Sequence, residues 1–273
     1  MDDSKYEFDH LDFERRGYFG APSVPKDAQP PRHWKRTPWY GWAFAFSQAK
    51  KGDFSVLPYL ISLLDEDIGE AFDQAVCILL GDAGSGDMFA SLKKIMKQRE
   101  GYDVSFYAAD AVADRGKLSD VPLLLELHRA THDFSDVPSV SRMIAHMLRP
   151  DGLLPRADDY GKVDDYCAMV EQTWKELAER FGTTEVYLWQ GEPTSVRRMA
   201  KSIIKKAKEP HFSFALRRKF EASTGINCSA FYNEGRYFEP LSAAAIAEEL
   251  LRSPRANQFV EGVRYFFGHP LPD

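Results

Sequence analysis

The aspartates at positions 53, 87 and 120 each open an apolar helical pattern, and they stand 34 and 33 residues apart. The patterns are Asp53-Phe-Ser-Val-Leu-Pro-Tyr-Leu-Ile-Ser-Leu-Leu64, Asp87-Met-Phe-Ala-Ser-Leu-Lys-Lys-Ile-Met96 and Asp120-Val-Pro-Leu-Leu-Leu-Glu-Leu127. A second helical pattern follows each one, over 70–80, 104–115 and 138–149. Leu57, Leu60, Ile61 and Leu64 recur at helical spacing, as do Phe72, Val76, Leu79 and Leu80. One two-helix hairpin cannot bury such stripes alone. A period in the range of ~20–50 residues is that of stacked repeats, where each unit covers its neighbour. The chain is therefore predicted to be all-α. A short α–α solenoid over 37–152 follows an irregular lead-in, 1–36, and a C-terminal helical region, 153–273, packs on it to make one continuous unit.

Local signals fill in this outline. Four prolines within 20–31 exclude a continuous helix there, while Tyr6, Phe8, Phe13, Tyr18 and Phe19 give the lead-in apolar groups with which to pack on the body. Thr37-Pro38 predicts a helix start with Thr37 as cap, running to Lys50-Lys51 and stopping at Gly52. Trp39, Trp42 and Phe46 share one face of it, suited to closing the open end of the solenoid. Gly81-Asp-Ala-Gly-Ser-Gly-Asp87 reads as the turn between the first two hairpins. It lacks the Lys-Ser/Thr ending and the preceding strand of a phosphate loop. Further helices are predicted over 158–181, 194–208, 211–223 and 241–251, with Ser242 as a cap for the last. A short extended piece is predicted over 185–189. Tyr265, Phe266 and Phe267 predict a docked tail, because together they would expose a sizeable apolar patch.

The charge pattern bears on partners. Residues 193–219 hold nine Lys/Arg against Glu209 alone, a local charge of +8, which leaves −14 for the rest of a chain whose net charge is −6. The acidic connector Asp65, Glu66, Asp67, Glu70 and Asp73 is the first candidate partner-binding surface, with a basic protein as its complement. An alternative basic surface is the face of the 194–208 helix that carries Arg197, Arg198, Lys201, Lys205 and Lys208. Clustered cations on a rigid element suit phosphates, although no base-reading motif accompanies them.

No catalytic, cofactor-binding or metal set is predicted. His128 and His132 have helical spacing, but Arg129 stands where a zinc protease motif needs Glu, and no third ligand is visible. Asp158, Asp159, Asp164 and Asp165 suit the N-terminus of a helix. Cys77, Cys167 and Cys228 are sparse and unpaired in spacing, as expected of buried thiols in a reducing compartment. No apolar run approaches the ~20 residues needed to span a bilayer. The acidic start Met1-Asp-Asp-Ser-Lys-Tyr-Glu7 lacks the apolar core of a secretory signal, so a cytoplasmic protein without membrane contact is expected.

The hairpins resemble HEAT-type repeats. The C-terminal third carries a more particular likeness, in Arg217-Arg-Lys-Phe-Glu-Ala-Ser-Thr-Gly-Ile-Asn-Cys-Ser-Ala-Phe-Tyr232, Leu241-Ser-Ala-Ala-Ala-Ile246 and Gly262-Val-Arg-Tyr-Phe-Phe-Gly-His-Pro-Leu-Pro272. These segments resemble a family of HEAT-like immunity proteins from bacterial polymorphic toxin systems. The resemblance implies stoichiometric binding of a cognate toxin domain, such as a basic nuclease, with no enzymatic activity. The competing expectations are a HEAT-like nucleic-acid-binding protein using the basic helix, and a general protein-interaction scaffold.

Overall fold

The computed structural model describes residues 2–8, 13, 17–64, 66, 68–98, 102–131, 140–149, 163–209, 212–233 and 237–272. The fold is mostly helical, as the sequence predicts. Its helices are α1 Pro38–Ala49, the short α2 Pro58–Ile61, α3 Glu70–Ala83, α4 Gly86–Gln98, α5 Tyr102–Arg115, α6 Val121–Thr131, α7 Val140–Leu148, α8 Val163–Phe181, α9 Val196–Lys206, α10 Phe214–Thr224 and α11 Pro240–Arg252. Strands β1 Leu188–Trp189 and β2 Glu192–Pro193 form one antiparallel hairpin; β3 Tyr265–Phe266 and β4 His269–Pro270 form another. Each turns through a pair of residues with left-handed φ, Gln190-Gly191 and Phe267-Gly268, the turn that matches strand twist. Among the described residues no helix is long and apolar enough to cross a membrane.

The chain forms two compact units, one of residues 1–88 and 195–273 and the other of residues 89–194. The division passes through the expected hairpin array, and the C-terminal third belongs with the first hairpin region. In the first unit α10 packs on α3, and α9 packs on α10 and α11. The aromatic face of α1 is fully covered within this unit. Phe8 meets Trp39 and Trp42 at centroid distances of 5.1 and 4.7 Å, and Tyr18 and Phe266 lie against Phe46. Trp42 Nε1–H donates to the Ala75 carbonyl of α3 at 3.0 Å. The lead-in and tail therefore dock on α1, and no stacking platform is left open there.

Several local expectations give way to long-range partners. Thr37 does not cap α1; its hydroxyl donates back to the His33 carbonyl. The Asp3 carboxylate, far off in sequence, accepts from the free Trp39 and Tyr40 amides at 3.2 and 2.8 Å. Residues 53–64 form one turn of α-helix rather than a long one. Pro58 supplies no amide, and Leu57, Leu60, Leu63 and Leu64 bond three residues back in tight turns. The predicted 81–87 turn shrinks to Gly84-Ser85, because α3 continues through Gly81 and Asp82. Helix α11 starts at Pro240, without a side-chain cap from Ser242.

In the second unit α5 packs on α6 and α7, and α6 packs on α7 and α8. Asp120 is fully buried, paired with Lys93 and 3.8 Å from Arg115 Nη1. The Arg115 guanidinium lies over the Phe89 ring. The expected extended piece is β1, tied by Leu188 N–H to the Gly116 carbonyl at 2.7 Å. A Cβ on Gly116 would stand 2.2 Å from the Leu188 carbonyl oxygen, so that glycine both ends α5 and admits the strand. The three aspartates that set the repeat period thus do different work. Asp53 binds Ser55 in a local turn, Asp87 lies in the first turn of α4, and Asp120 is buried beside Lys93.

Candidate partner-binding surface

The acidic connector is only partly a surface. Glu70, in the first turn of α3, is exposed, and Glu66 is half-buried and paired with Lys35. Asp73 is buried in the same helical turn as Glu70, so it does not share the exposed face. Asp65 and Asp67 lie outside the described residues. Arg32, Lys35 and Arg36 are exposed in the segment leading into α1, so this edge carries both signs of charge.

Two aromatic rings stand at the same edge. Tyr59 of α2 stacks on Trp34 with centroids 5.1 Å apart and planes 9° from parallel, and Tyr59 remains 54% exposed. The position of Trp34 depends on Gly41. A Cβ there would come within 2.7 Å of the indole, so α1 has to be bare at that point for the ring to lie down. Lys35, next to Trp34, links this segment to Glu66 of the connector. The result is a flat amphipathic aromatic pair bordered by charges, the residue composition of a protein-binding anchor. The sequence reading missed Trp34 and Tyr59, which are 25 positions apart and belong to no common periodic stripe.

The basic face of α9 is partly engaged inside the first unit. Arg197 Nε–H donates to the Ala256 carbonyl at 3.2 Å and its guanidinium also meets Asn257, while Arg198 pairs with Glu261. Lys201, Lys205 and Lys208 are exposed. Ser195 caps the helix through the Arg198 amide.

The three cations of α10, Arg217, Arg218 and Lys219, turn inward. Ser213 caps α10, and Gly225 ends it in the left-handed conformation. Between them Arg217, Lys219 and Glu221 are buried. Lys219 Nζ donates to Asp82 Oδ1 at 2.9 Å, the Tyr18 hydroxyl donates to Asp82 Oδ2 at 2.7 Å, and Arg218 Nε lies 3.3 Å from Oδ2. Burial alone would raise the Asp82 carboxyl, but Lys219 and Arg218 together hold it below the usual carboxylate range. Arg264 anchors the end of α3, the helix of Asp82, by donating to the Gly81 and Gly84 carbonyls at 2.6 and 2.9 Å. Asp82, predicted as a turn residue, is thus a centre of the first unit.

Glu221 is different. Its Oε1 accepts the Phe19 amide at 3.1 Å, and Arg217 Nε is 3.6 Å from Oε2. Burial pushes its carboxyl up to about 7, against Arg217 and the backbone amides of Phe19, Tyr18 and Cys228. Burial likewise pushes up the Cys228 thiol, and it pushes the Tyr232 phenol up to about 12.

Other sequence candidates have structural places. His128 is buried with its ring 4.9 Å from that of Tyr166, and His132 lies outside the described residues. Asp164 and Asp165 occupy the first turn of α8, while Asp158 and Asp159 are outside the described residues. All three cysteines are buried and outside any disulfide. No protein-family model, curated protein or solved structure matches this chain.

Proposed function

We propose that this chain is an immunity protein that binds a cognate bacterial toxin domain stoichiometrically in the cytoplasm and occludes its active site. The observation that carries this reading is the exposed Tyr59 ring stacked on half-buried Trp34 beside Glu66 and Glu70. Rigid aromatic side chains contribute large contact area at small entropic cost, and Tyr and Trp are enriched among residues that dominate binding energy. The flanking carboxylates then steer a basic partner more than they hold it. The likeness of the C-terminal third to HEAT-like immunity proteins supports the same reading.

The test is titration calorimetry with the toxin domain encoded by a neighbouring gene. A 1:1 complex is expected, and Tyr59→Ala should weaken it by at least about tenfold, the effect of a residue worth more than about 1.4 kcal/mol. The pair Glu66→Lys and Glu70→Lys should slow association and flatten its salt dependence. The nucleic-acid reading has lost the free use of Arg197 and Arg198. It would replace the proposal if the chain bound nucleic acid with an affinity falling steeply between 50 and 200 mM salt, as about six or more phosphate contacts require.

A further inference from the structure

The Trp34–Tyr59 stack joins two segments of opposite charge. Trp34 belongs to Arg32-His33-Trp34-Lys35-Arg36, and its ring is held on α1 by the bare spot at Gly41 and by Phe44, 6.4 Å away. Tyr59 belongs to α2, which leads into the acidic connector with Glu66 and Glu70. Within one copy the two segments already meet through Lys35 and Glu66. On the cationic side Arg32 and Arg36 are exposed, with no ion-pair partner among the described residues; on the acidic side Glu70 is exposed. One face of Tyr59 lies on Trp34, and with 54% of the residue exposed the other face meets water.

We propose that this edge is the contact face of a symmetric dimer of the chain, Tyr59 against Tyr59, with Arg32 and Arg36 of each copy facing the partner's Glu66 and Glu70. A two-fold contact sets the same surface on both copies, so that surface has to be complementary to itself. A face of one sign fails this requirement, because like charges then stand opposite each other. The exposed Lys201, Lys205 and Lys208 are such a face. The aromatic edge meets the requirement. Its apolar stack has the cationic segment at the Trp34 end and the acidic connector following the Tyr59 end, and a second copy turned end for end opposes each sign with the other. The open faces of the two Tyr59 rings supply the apolar centre, a large contact area at small entropic cost. This self-association goes beyond the toxin-binding reading and does not depend on it. Where both occur they exclude one another, since a second copy and a toxin domain cover the same ring.

Sedimentation equilibrium of the intact chain tests this with no other protein present. At low salt the average mass should rise with concentration from that of one chain to that of two. A mass that stays at one chain up to about 1 mM would overturn the proposal. Tyr59→Ala should weaken association by at least about tenfold. So should Arg32→Glu with Arg36→Glu, which leaves both sides of the edge acidic, and Glu66→Lys with Glu70→Lys, which leaves both sides basic. Mixing these two reversed chains should restore a dimer containing one copy of each, because every facing pair is again opposite in sign. A dimer that survives each reversal, or a mixture that stays monomeric, refutes the edge as the contact. The wild-type chain gives a further reading that needs no variant. Raising salt from about 0.05 to 1 M should loosen its dimer, since exposed pairs are screened, and a dimer unmoved by salt also overturns the proposal.

Discussion

Helices α9 and α10 lie next to one another in the chain and both are cationic, yet their charges meet opposite environments. On α9, Lys201 and Lys205 face water, as does Lys208 just past its end, and Arg198 pairs at the surface with Glu261, its side chain still 38% exposed. On α10, Arg217 and Lys219 are 1% and 7% exposed, and their counter-charges, Glu221 and Asp82, are buried with them. Nearly the same residue types serve as a solvated face in one helix and as core in the other. Charge counted along a sequence is therefore not charge at a surface. The local excess of +8 shrinks once Arg217, Arg218 and Lys219 are matched with Asp82 and Glu221, and the argument for a phosphate-binding face weakens with it.

The sharpest way to break this contrast is to remove one counter-charge. Asp82→Ala leaves Lys219 and the largely covered Arg218 without their carboxylate, and it takes away the acceptor of the Tyr18 hydroxyl. Breaking a buried pair costs roughly 3–5 kcal/mol, because the remaining ion stays desolvated. Urea unfolding should show a loss of that size. A loss below about 1 kcal/mol would mean that water reaches the cluster, and α10 would then resemble α9.

A second prediction separates the two carboxylates of the buried set by the sign of their pH dependence. Asp82 is held below its ordinary value of 3.8, so its contribution is present above that value and disappears as pH falls through its lowered folded value. Glu221 is raised from 4.5 to about 7, so the folded chain binds more protons than the unfolded chain between those limits. Its contribution is fully present below 4.5 and is lost as pH rises through about 7, a change of about 3 kcal/mol at most. Stability measured against pH should therefore decline from pH 4.5 to 7 on account of Glu221. Glu221→Gln should flatten that decline whatever its baseline cost from removing the carboxylate beside Arg217. A decline that persists in the variant would assign the proton elsewhere.

The same contrast explains how much of the fold the sequence discloses. Helix α9 is legible because Val196, Met199, Ala200 and Ile203 recur at helical spacing with cations between them, and the structure buries those four. Helix α10 is legible as a helix but not as an environment. Its apolar positions Leu216 and Phe220 stand directly beside Arg217 and Glu221, so periodicity alone assigns the charges to solvent. What places them inside is Asp82, 137 residues from Lys219. Asp82 was itself hidden, since Gly81 and Gly84 around it read as a turn, while Arg264 and Lys219 hold the helix through that point. Asp3 acting as cap of α1 is a similar case. At the surface, the acidic run of the sequence draws attention to Glu66 and Glu70. Trp34 and Tyr59 were not, because neither the bare spot at Gly41 nor the two short turns that stack them leave a periodic trace.

The smallest expected effect lies on α9 and completes the comparison. Arg198 and Glu261 pair across a solvated surface, where Coulomb attraction is weak and holding two long side chains in register offsets much of the gain. A double-mutant cycle of Arg198→Ala and Glu261→Ala should give a coupling of about 0.2–1 kcal/mol at low salt, decreasing further by 1 M salt, where the screening length is about 3 Å. The buried Asp82–Lys219 pair, examined by the corresponding cycle, should couple several times more strongly and respond little to salt, because counter-ions do not enter the core. Equal couplings with equal salt responses would remove the distinction between the two helices. A salt-insensitive Arg198 pair would show that the 254–261 segment seals the basic face of α9 against solvent, and Lys201, Lys205 and Lys208 would then be the only cations of that face still available to a partner.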